Sequence, residues 1–305
     1  MSNFLAELGA SHVLKVALLL GAAAALIGAA AKGFVRRAGP VPLGGALFAA
    51  AALTALTTTV DLPWLVAAGA GLLVVGAWLG REPWEVALGS LPGAAAIVYA
   101  GSFSAGPAVA LALAISVAAA LVVDFDRSFA PSAAGTPLLA VSTVGILVTV
   151  PDIERALALV GAALPLALAG WPFPLVSLGA GAAAAVGVIG WVAGDAGVTR
   201  PGAAVGALTA LGLMMAEPIG RRVGRVSRTA LARLASSGPR GVFVMGVIHG
   251  VIVLGTSRVA GLQQSALVAT AIALPILALG AVVGAAPAGR RRAARTGGSS
   301  SPPAS

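Results

Sequence analysis

Long apolar runs recur along almost the whole chain, with only short polar stretches between them. Hydrophobic residues make up 59% of the sequence and charged residues 10%, whereas soluble domains contain roughly 45–50% and about 25% respectively. A backbone that crosses a bilayer must satisfy its hydrogen bonds internally, as an α-helix does. The sequence therefore predicts an all-α, polytopic integral membrane protein.

Eleven of these runs are long enough, or nearly long enough, to span the hydrocarbon core. They cover residues 13–31, 43–60, 64–80, 86–101, 107–123, 138–151, 156–170, 175–194, 202–216, 241–257 and 266–286. The runs at 138–151 and 156–170 are short, so a re-entrant pair is an alternative to two full spans. Residues 1–286 are expected to form one membrane domain. Residues 287–305, basic and then rich in Ser, Pro and Gly, are expected to form a disordered cytosolic tail.

Basic residues are distributed unevenly among the loops. If the first span runs from outside to inside, the inner loops hold 15 of the 19 lysines and arginines. Because basic loops stay on the cytosolic side, the N-terminus is predicted outside and the C-terminus in the cytosol. The net charge of +9 is thus concentrated at one membrane face, which favours anionic membrane lipids as partners rather than nucleic acid.

Five segments near the predicted inner side carry a recognisable pattern. The first, "KGFVRRAGPVPLGGALF" at 32–48, combines three cations, two prolines and a Gly-Gly pair. It is followed by "GLLVVGAWLGREPWEV" at 71–86, "VDFDRSFAPSAAGTP" at 123–137, "LVSLGAGAAAAVGVIGW" at 175–191 and "LGLMMAEPIGRRVGR" at 211–225. In this order and topology the chain resembles the polyprenyl-phosphate N-acetylhexosamine-1-phosphate transferases, a glycosyltransferase family that includes phospho-N-acetylmuramoyl-pentapeptide transferase.

The resemblance implies a location in the plasma (cell) membrane, a site on the cytosolic side and a role in cell-envelope synthesis, such as that of peptidoglycan. Members of the family move a sugar phosphate from a UDP-sugar to a membrane polyprenyl phosphate, with Mg²⁺ held by aspartates. By the same resemblance, the phosphate-facing cations of this chain are Arg36, Arg37, Arg221 and Arg222.

The chain departs from the family at every catalytic aspartate. Leu79 and Gly80 stand where the family has an Asp-Asp pair, and no register places its Asp-Gly-x-Asp-Gly motif on 123–137. Phosphoryl transfer with Mg²⁺ requires carboxylate oxygens at the metal. The first hypothesis is therefore a pseudoenzyme without cofactor that keeps a scaffold, regulatory or polyprenyl-phosphate-binding role, with envelope-synthesis membrane proteins among its expected partners.

Five carboxylates lie on the predicted inner side, and four of them are candidates for a relocated metal site. The five are Glu82, Glu85, Asp124, Asp126 and Glu217. The second hypothesis is an active, Mg²⁺-dependent sugar-1-phosphate transferase with relocated ligands, for which the Asp124/Asp126 pair and the Glu82/Glu85 pair are the catalytic candidates. In extended geometry the two aspartates would share a face. The simpler interpretation is a helix end with a local salt bridge to Arg127, and a helix first turn for the two glutamates.

Two further features, a histidine within a span and a series of arginines, are not explained by the resemblance. His249 is an ionisable residue well inside a predicted span, which raises a third hypothesis of a small transporter or lipid flippase; a neutral, hydrogen-bonded histidine is the structural alternative. Arg221, Arg225 and Arg228 recur at helical spacing, which predicts a basic helix on the inner membrane surface.

Overall fold

The structure is a computed structural model of the whole chain. It describes residues 11–35, 39–61, 64–101, 105–150, 152–197, 201–226 and 229–261, together with positions 268, 271, 275, 278, 281 and 282. The predicted eleventh run and the predicted tail at 287–305 therefore lie largely or wholly outside the described residues.

Twelve α-helices and two short 3₁₀ turns form the described part of the chain. The helices are α1 His12–Phe34, α2 Gly44–Leu56, α3 Trp64–Leu79, α4 Pro83–Ala100, α5 Ala105–Phe129, α6 Gly135–Leu147, α7 Ile153–Gly170, α8 Ala182–Gly197, α9 Pro201–Thr209, α10 Gly212–Val223, α11 Ala230–Ala235 and α12 Pro239–Gly261. The 3₁₀ turns are Ala130–Ser132 and Gly179–Gly181. The predicted all-α class is confirmed, since no strand occurs in the described ranges.

Within those ranges, three helical segments are long and apolar enough to cross a membrane on their own. They are His12–Phe34, Ala108–Ser132 and Ile153–Gly170. The bent pair formed by α9 and α10 makes a fourth if it counts as one span. Several other apolar helices are shorter, so the count of eleven spans and the orientation of the termini stay predictions.

The run at 202–216 is not one straight helix, as the sequence had suggested. It breaks at Ala210 and Leu211, and the axes of α9 and α10 differ by 69°. The second half continues to Val223, well past the predicted end of the span. The apolar character of the run is continuous, so its composition gave no sign of the bend.

The predicted basic surface helix through Arg221, Arg225 and Arg228 is also wrong. Helix α10 ends at Val223, Arg225 adopts a left-handed conformation with φ of 50°, and Arg228 lies outside the described residues. The Arg225 N–H bonds to the Arg222 carbonyl at 3.2 Å and the Val226 N–H to the Arg221 carbonyl at 3.0 Å. These two bonds form a Schellman motif, which terminates the helix.

Small residues allow the helices to pack closely, as the abundance of Gly and Ala suggests. A Cβ added to Gly69 in α3 would lie 2.7 Å from the Gly93 carbonyl oxygen in α4. In the same way, a Cβ on Gly21 in α1 would lie 2.8 Å from the Gly161 carbonyl oxygen in α7. Backbones are therefore in contact at both helix pairs, and any larger residue there would separate them.

Two contacts join segments that are far apart in the sequence. Arg127, which follows the fifth predicted span, donates to the carbonyl of Arg81, which follows the third. The guanidinium of Arg155 lies 5.6 Å from the ring centroid of Trp191. The end of the bundle that contains Arg81 and Arg127 is called the inner end below.

Candidate functional site

Two of the segments that carry the resemblance lie side by side at the inner end. Val41 and Val176 form an isolated parallel bridge, in which the Val41 N–H bonds to the Leu175 carbonyl at 2.8 Å. The Ser177 N–H returns a bond to the Val41 carbonyl at 3.0 Å, and the Gly44 N–H bonds to the Ser177 carbonyl at 2.8 Å. The Pro-x-Pro-x-Gly-Gly entry to α2 is thus fixed against the turn that begins α8.

Glycines are required at this junction because the two backbones touch. A Cβ on Gly45 would collide with the backbone of Gly181 and Ala182, and one on Gly181 would collide with Ala46. Gly179 has a φ of 63°, and a Cβ there would meet the backbone of Pro42. Close packing and a left-handed turn therefore account for these glycines physically.

Asp126 connects another of the five segments, residues 123–137, to the same junction. Its Oδ1 accepts the N–H of Leu178 at 3.1 Å and its Oδ2 accepts the N–H of Gly179 at 2.8 Å. The residue is only 3% exposed. The carboxylate thus caps the 3₁₀ turn before α8, a role that the sequence did not suggest.

Asp124 faces a different set of groups. Because α5 continues through both aspartates, they do not share a face, and the extended geometry that a shared metal site would need is absent from this helix. Asp124 Oδ2 lies 2.8 Å from Arg221 Nη2 and 3.4 Å from Arg222 Nη2. Arg222 Nη2 is also 3.8 Å from Glu82 Oε2, on the surface.

The expected salt bridge between the aspartates and Arg127 is wrong. The Arg127 guanidinium instead donates to three carbonyls at the end of α3: Nη2 to Ala77 at 2.9 Å and to Gly80 at 2.7 Å, and Nη1 to Arg81 at 2.7 Å. Carbonyls at a helix C-terminus lack partners within the helix and carry partial negative charge. Arg127 therefore caps α3, which leaves the aspartates to their other partners.

Glu82 and Glu85 stand at the start of α4, the former as its N-cap residue and the latter in its first turn. Glu85 Oε2 accepts the N–H of Arg81 at 2.7 Å and that of Glu82 at 3.2 Å. These two bonds, the Arg81 N–H first, lower the pKa of the Glu85 carboxyl below its ordinary value.

The four candidate carboxylates are thus paired with backbone N–H groups or with arginines, and Glu82 and Asp124 share Arg222. Among the described residues, no group of three or more His, Cys, Asp or Glu side chains is arranged to hold a metal ion. Of the four predicted phosphate-facing arginines, Arg36 and Arg37 lie outside the described residues. Arg221 and Arg222 are both placed at the inner end, beside Asp124.

A cavity of about 510 Å³ opens next to Arg221. Its walls come from the 3₁₀ turn after α5, the end of α7, and helices α10, α11 and α12. Polar and aromatic side chains in the wall include Ser128, Phe129, Ser132, Trp171, Arg221 and Thr229. Trp171 is held in place by a 2.7 Å bond from its Nε1–H to the Pro239 carbonyl.

Glu217 is the most buried charged group in the cavity wall, with 0% of its surface exposed. Its Oε1 accepts the Thr229 hydroxyl at 3.0 Å and lies 3.8 Å from Arg221 Nε. Its Oε2 and Arg221 Nε have no hydrogen-bond partner among the described residues. The sequence analysis placed Glu217 on the inner side but assigned it no role. The only sequence feature that sets Glu217 apart is its position beside Pro218 at the end of an apolar run.

His249 makes a complete set of hydrogen bonds within the bundle. Its Nδ1 accepts the Leu213 N–H at 3.2 Å, so the ring proton is assigned to Nε2, which donates to Ser142 Oγ at 2.9 Å. The Ser142 hydroxyl in turn donates to the Leu138 carbonyl at 3.0 Å. Leu213 lies in the first turn of α10, where N–H groups lack partners within the helix. His249 therefore caps α10 at the α9–α10 break.

In comparisons with known proteins, no family model, curated protein or solved structure matches the chain. The resemblance to the transferases therefore depends only on the sequence motifs.

Proposed function

We propose that the chain is a non-catalytic relative of the polyprenyl-phosphate sugar-phosphate transferases that binds a polyprenyl phosphate at its inner end. It would serve cell-envelope glycopolymer synthesis in the plasma membrane as a scaffold or regulator. The observation that carries the proposal is the position of Arg221, which lies between Asp124 and the 510 Å³ cavity.

Two properties of the arginine pair suit it to a lipid phosphate. Arg222 is half exposed, with 49% of its side-chain surface accessible, and its distances to Asp124 and Glu82 are 3.4 and 3.8 Å. Exposed ion pairs of this kind contribute little, about 0–1 kcal/mol, so a phosphate can replace them. Guanidinium groups bind phosphate oxygens in paired, charge-assisted hydrogen bonds.

The carboxylates support the non-catalytic part of the proposal. Asp126 uses both oxygens on backbone N–H groups, and Asp124 uses one on two arginines. A metal ion on Asp126 would have to displace its two backbone partners, and one on Asp124 would lie beside two guanidinium groups, whose positive charge opposes a cation. Both positions therefore favour the non-catalytic alternative.

The test combines a binding assay and a turnover assay on the full chain in nanodiscs. We expect undecaprenyl phosphate to bind without release of UMP from UDP-N-acetylhexosamines in the presence of Mg²⁺. The double variant Arg221→Ala/Arg222→Ala should bind about tenfold or more weakly, because charge-assisted hydrogen bonds are lost. Arg240→Ala, an exposed cation near the start of α12, is the matched control and should bind normally.

Two results would contradict the proposal. Mg²⁺-dependent UMP release that disappears in Asp124→Asn or Asp126→Asn would establish the active alternative instead. Equal binding of undecaprenyl phosphate by the double variant and the Arg240→Ala control would remove the phosphate site.

A further inference from the structure

A groove of about 580 Å³ lies between α3 and α4 and shares no lining residue with the cavity beside Arg221. It extends along α3 from Leu72 to Arg81 and along α4 from Pro92 to Glu85. At about 1.5 Å of rise per residue, its two sides are roughly 10–14 Å long. One leaflet contains about 15 Å of the hydrocarbon core, so the groove has the depth of a single leaflet.

The inside of the groove is apolar. The two helices touch where Gly76 meets Gly89, since a Cβ added to Gly76 would collide with the Gly89 backbone. Both glycines line the groove, and the absence of side chains there leaves room between the helices. Leu72, Val75 and Leu79 of α3 border this room and are 45%, 50% and 66% exposed. The groove therefore offers apolar surface that the described residues leave uncovered.

Two residues of opposite charge, Arg81 and Glu85, line the inner end of the groove. Arg81 is exposed, and its guanidinium forms no hydrogen bond or salt bridge with any residue that the structure describes. Glu85 uses Oε2 on two backbone N–H groups, whereas its Oε1 has no hydrogen-bond partner in the same part of the chain. One side chain can thus donate to a ligand and the other can accept from it.

This pair of charges discriminates among phospholipid headgroups. A guanidinium binds phosphate oxygens well, but a headgroup that is only anionic would be repelled by the Glu85 carboxylate. Phosphatidylethanolamine carries a phosphate and a primary ammonium, whose N–H groups can donate to a carboxylate. Phosphatidylcholine has the same charges, but its quaternary ammonium has no N–H to donate. The two side chains therefore suit phosphatidylethanolamine better than either alternative.

We propose that the groove between α3 and α4 binds one phosphatidylethanolamine of the inner leaflet, with its phosphate at Arg81, its ammonium at Glu85 and an acyl chain along Val75. A chain of methylenes, unlike a helix about 10 Å wide, can lie wholly within a space of this size. Trp84, which is 63% exposed beside Glu85, suits the headgroup level, where tryptophan is enriched. The inference goes beyond the proposed function, because the site and the lipid both differ from those of the arginine pair.

The test measures lipid retention by native mass spectrometry. The full chain is released from nanodiscs that contain equal amounts of phosphatidylethanolamine, phosphatidylcholine and phosphatidylglycerol with the same acyl chains. We expect the wild type to retain phosphatidylethanolamine about fivefold over phosphatidylcholine, because only the former donates hydrogen bonds to Glu85.

Two charge variants separate the roles of the headgroup contacts. Arg81→Gln should lower retention of phosphatidylethanolamine and phosphatidylcholine alike, about fivefold, because both lose the phosphate contact. Glu85→Gln keeps an oxygen for the backbone N–H groups at the start of α4, but should remove the preference for phosphatidylethanolamine over phosphatidylcholine. Arg240→Gln and Glu154→Gln make the same chemical changes at exposed residues elsewhere and should retain lipid as the wild type does.

A groove-filling variant tests the position of the acyl chain without changing a charge. Val75→Trp places a large side chain in the groove and should reduce phosphatidylethanolamine retention at least fivefold. Val109→Trp is the matched control, since Val109 is 61% exposed on α5 and does not line the groove.

The inference is overturned if the wild type retains phosphatidylethanolamine and phosphatidylcholine equally, if Glu85→Gln keeps the preference, or if the two tryptophan variants retain equal amounts. Preferential retention of phosphatidylglycerol would also contradict it, as would the absence of any retained lipid, which would leave the groove to a helix of another protein. Undecaprenyl phosphate distinguishes this failure from failure of the proposed function. Its binding should be unchanged in Arg81→Gln and weakened in Arg221→Ala/Arg222→Ala, which should still retain phosphatidylethanolamine.

Discussion

Asp126 connects two parts of the chain that lie far apart in sequence. Its partners, Leu178 and Gly179, follow it by 52 and 53 positions, and both bonds are made inside the protein. In the sequence the residue is only an aspartate near the end of an apolar run, beside Asp124. Nothing local distinguishes a metal ligand from a cap on a distant turn, because the difference depends on which segment packs against α5.

Replacement of Asp126 should therefore affect stability. Asp126→Ala leaves the buried Leu178 N–H and the half-buried Gly179 N–H without an acceptor, so we expect a loss of about 2–4 kcal/mol and a lower melting temperature. Asp126→Asn keeps one acceptor oxygen and should fall between Ala and the wild type. Thermal unfolding in detergent checks this, with the exposed Asp61→Asn as control. An Asp126→Ala protein as stable as the wild type would show that the cap does not contribute.

Helix α10 ends earlier than the spacing of its basic residues predicts. Arg225 occupies the left-handed position of the Schellman motif, where glycine is usual because it has no Cβ. The arginine spacing that predicted a longer helix is real, but the preceding Gly224 and the capping bonds end the helix two residues earlier than Arg225. The spacing of the arginines thus predicts a longer helix, whereas the backbone conformation at Arg225 and the capping hydrogen bonds determine where the helix ends.

Arg225→Gly should stabilise the protein, because the cost of a left-handed non-glycine residue, about 1 kcal/mol, is relieved. The net gain is expected to be about 0.5–1 kcal/mol, since glycine also gains freedom in the unfolded chain. Arg225→Ala removes the same charge but keeps the Cβ, and should give no such gain. Equal melting temperatures for the two variants would mean that charge, not backbone strain, sets the effect.

The break between α9 and α10 depends on a contact from α12. His249→Ala removes the acceptor of the Leu213 N–H and leaves a space in a fully buried position, so we expect a loss of about 3 kcal/mol. Ser142→Ala removes one hydrogen bond and little volume, so its effect should be near 1 kcal/mol. Chemical unfolding curves measure both values. Ranking in the opposite order would remove the proposed capping role of His249.

For the whole molecule, composition predicted the class and most element positions, because apolar runs and helices coincide from α1 to α7. Composition did not predict two features that depend on tertiary contacts. One is the break between α9 and α10, where His249 caps α10. The other is the position of Arg127, which caps α3 rather than pairing with an aspartate. The cavity was not predictable either, since its wall combines α10 with segments more than 40 positions away. Local hydrophobic patterns therefore predict the helices, whereas the caps and the cavity depend on how the helices pack against each other.

The predicted orientation can be tested directly, because the chain contains no cysteine and single cysteines can be introduced without background. Asp61 lies in a loop predicted outside and Ser236 in one predicted inside, and both are exposed. If the excess of basic residues determines topology, a membrane-impermeant maleimide on intact cells should label Asp61→Cys but not Ser236→Cys. Permeabilised cells, in which both should react, provide the control. The reverse pattern would invert the orientation, and labelling of both in intact cells would show that an odd number of spans does not separate the two loops.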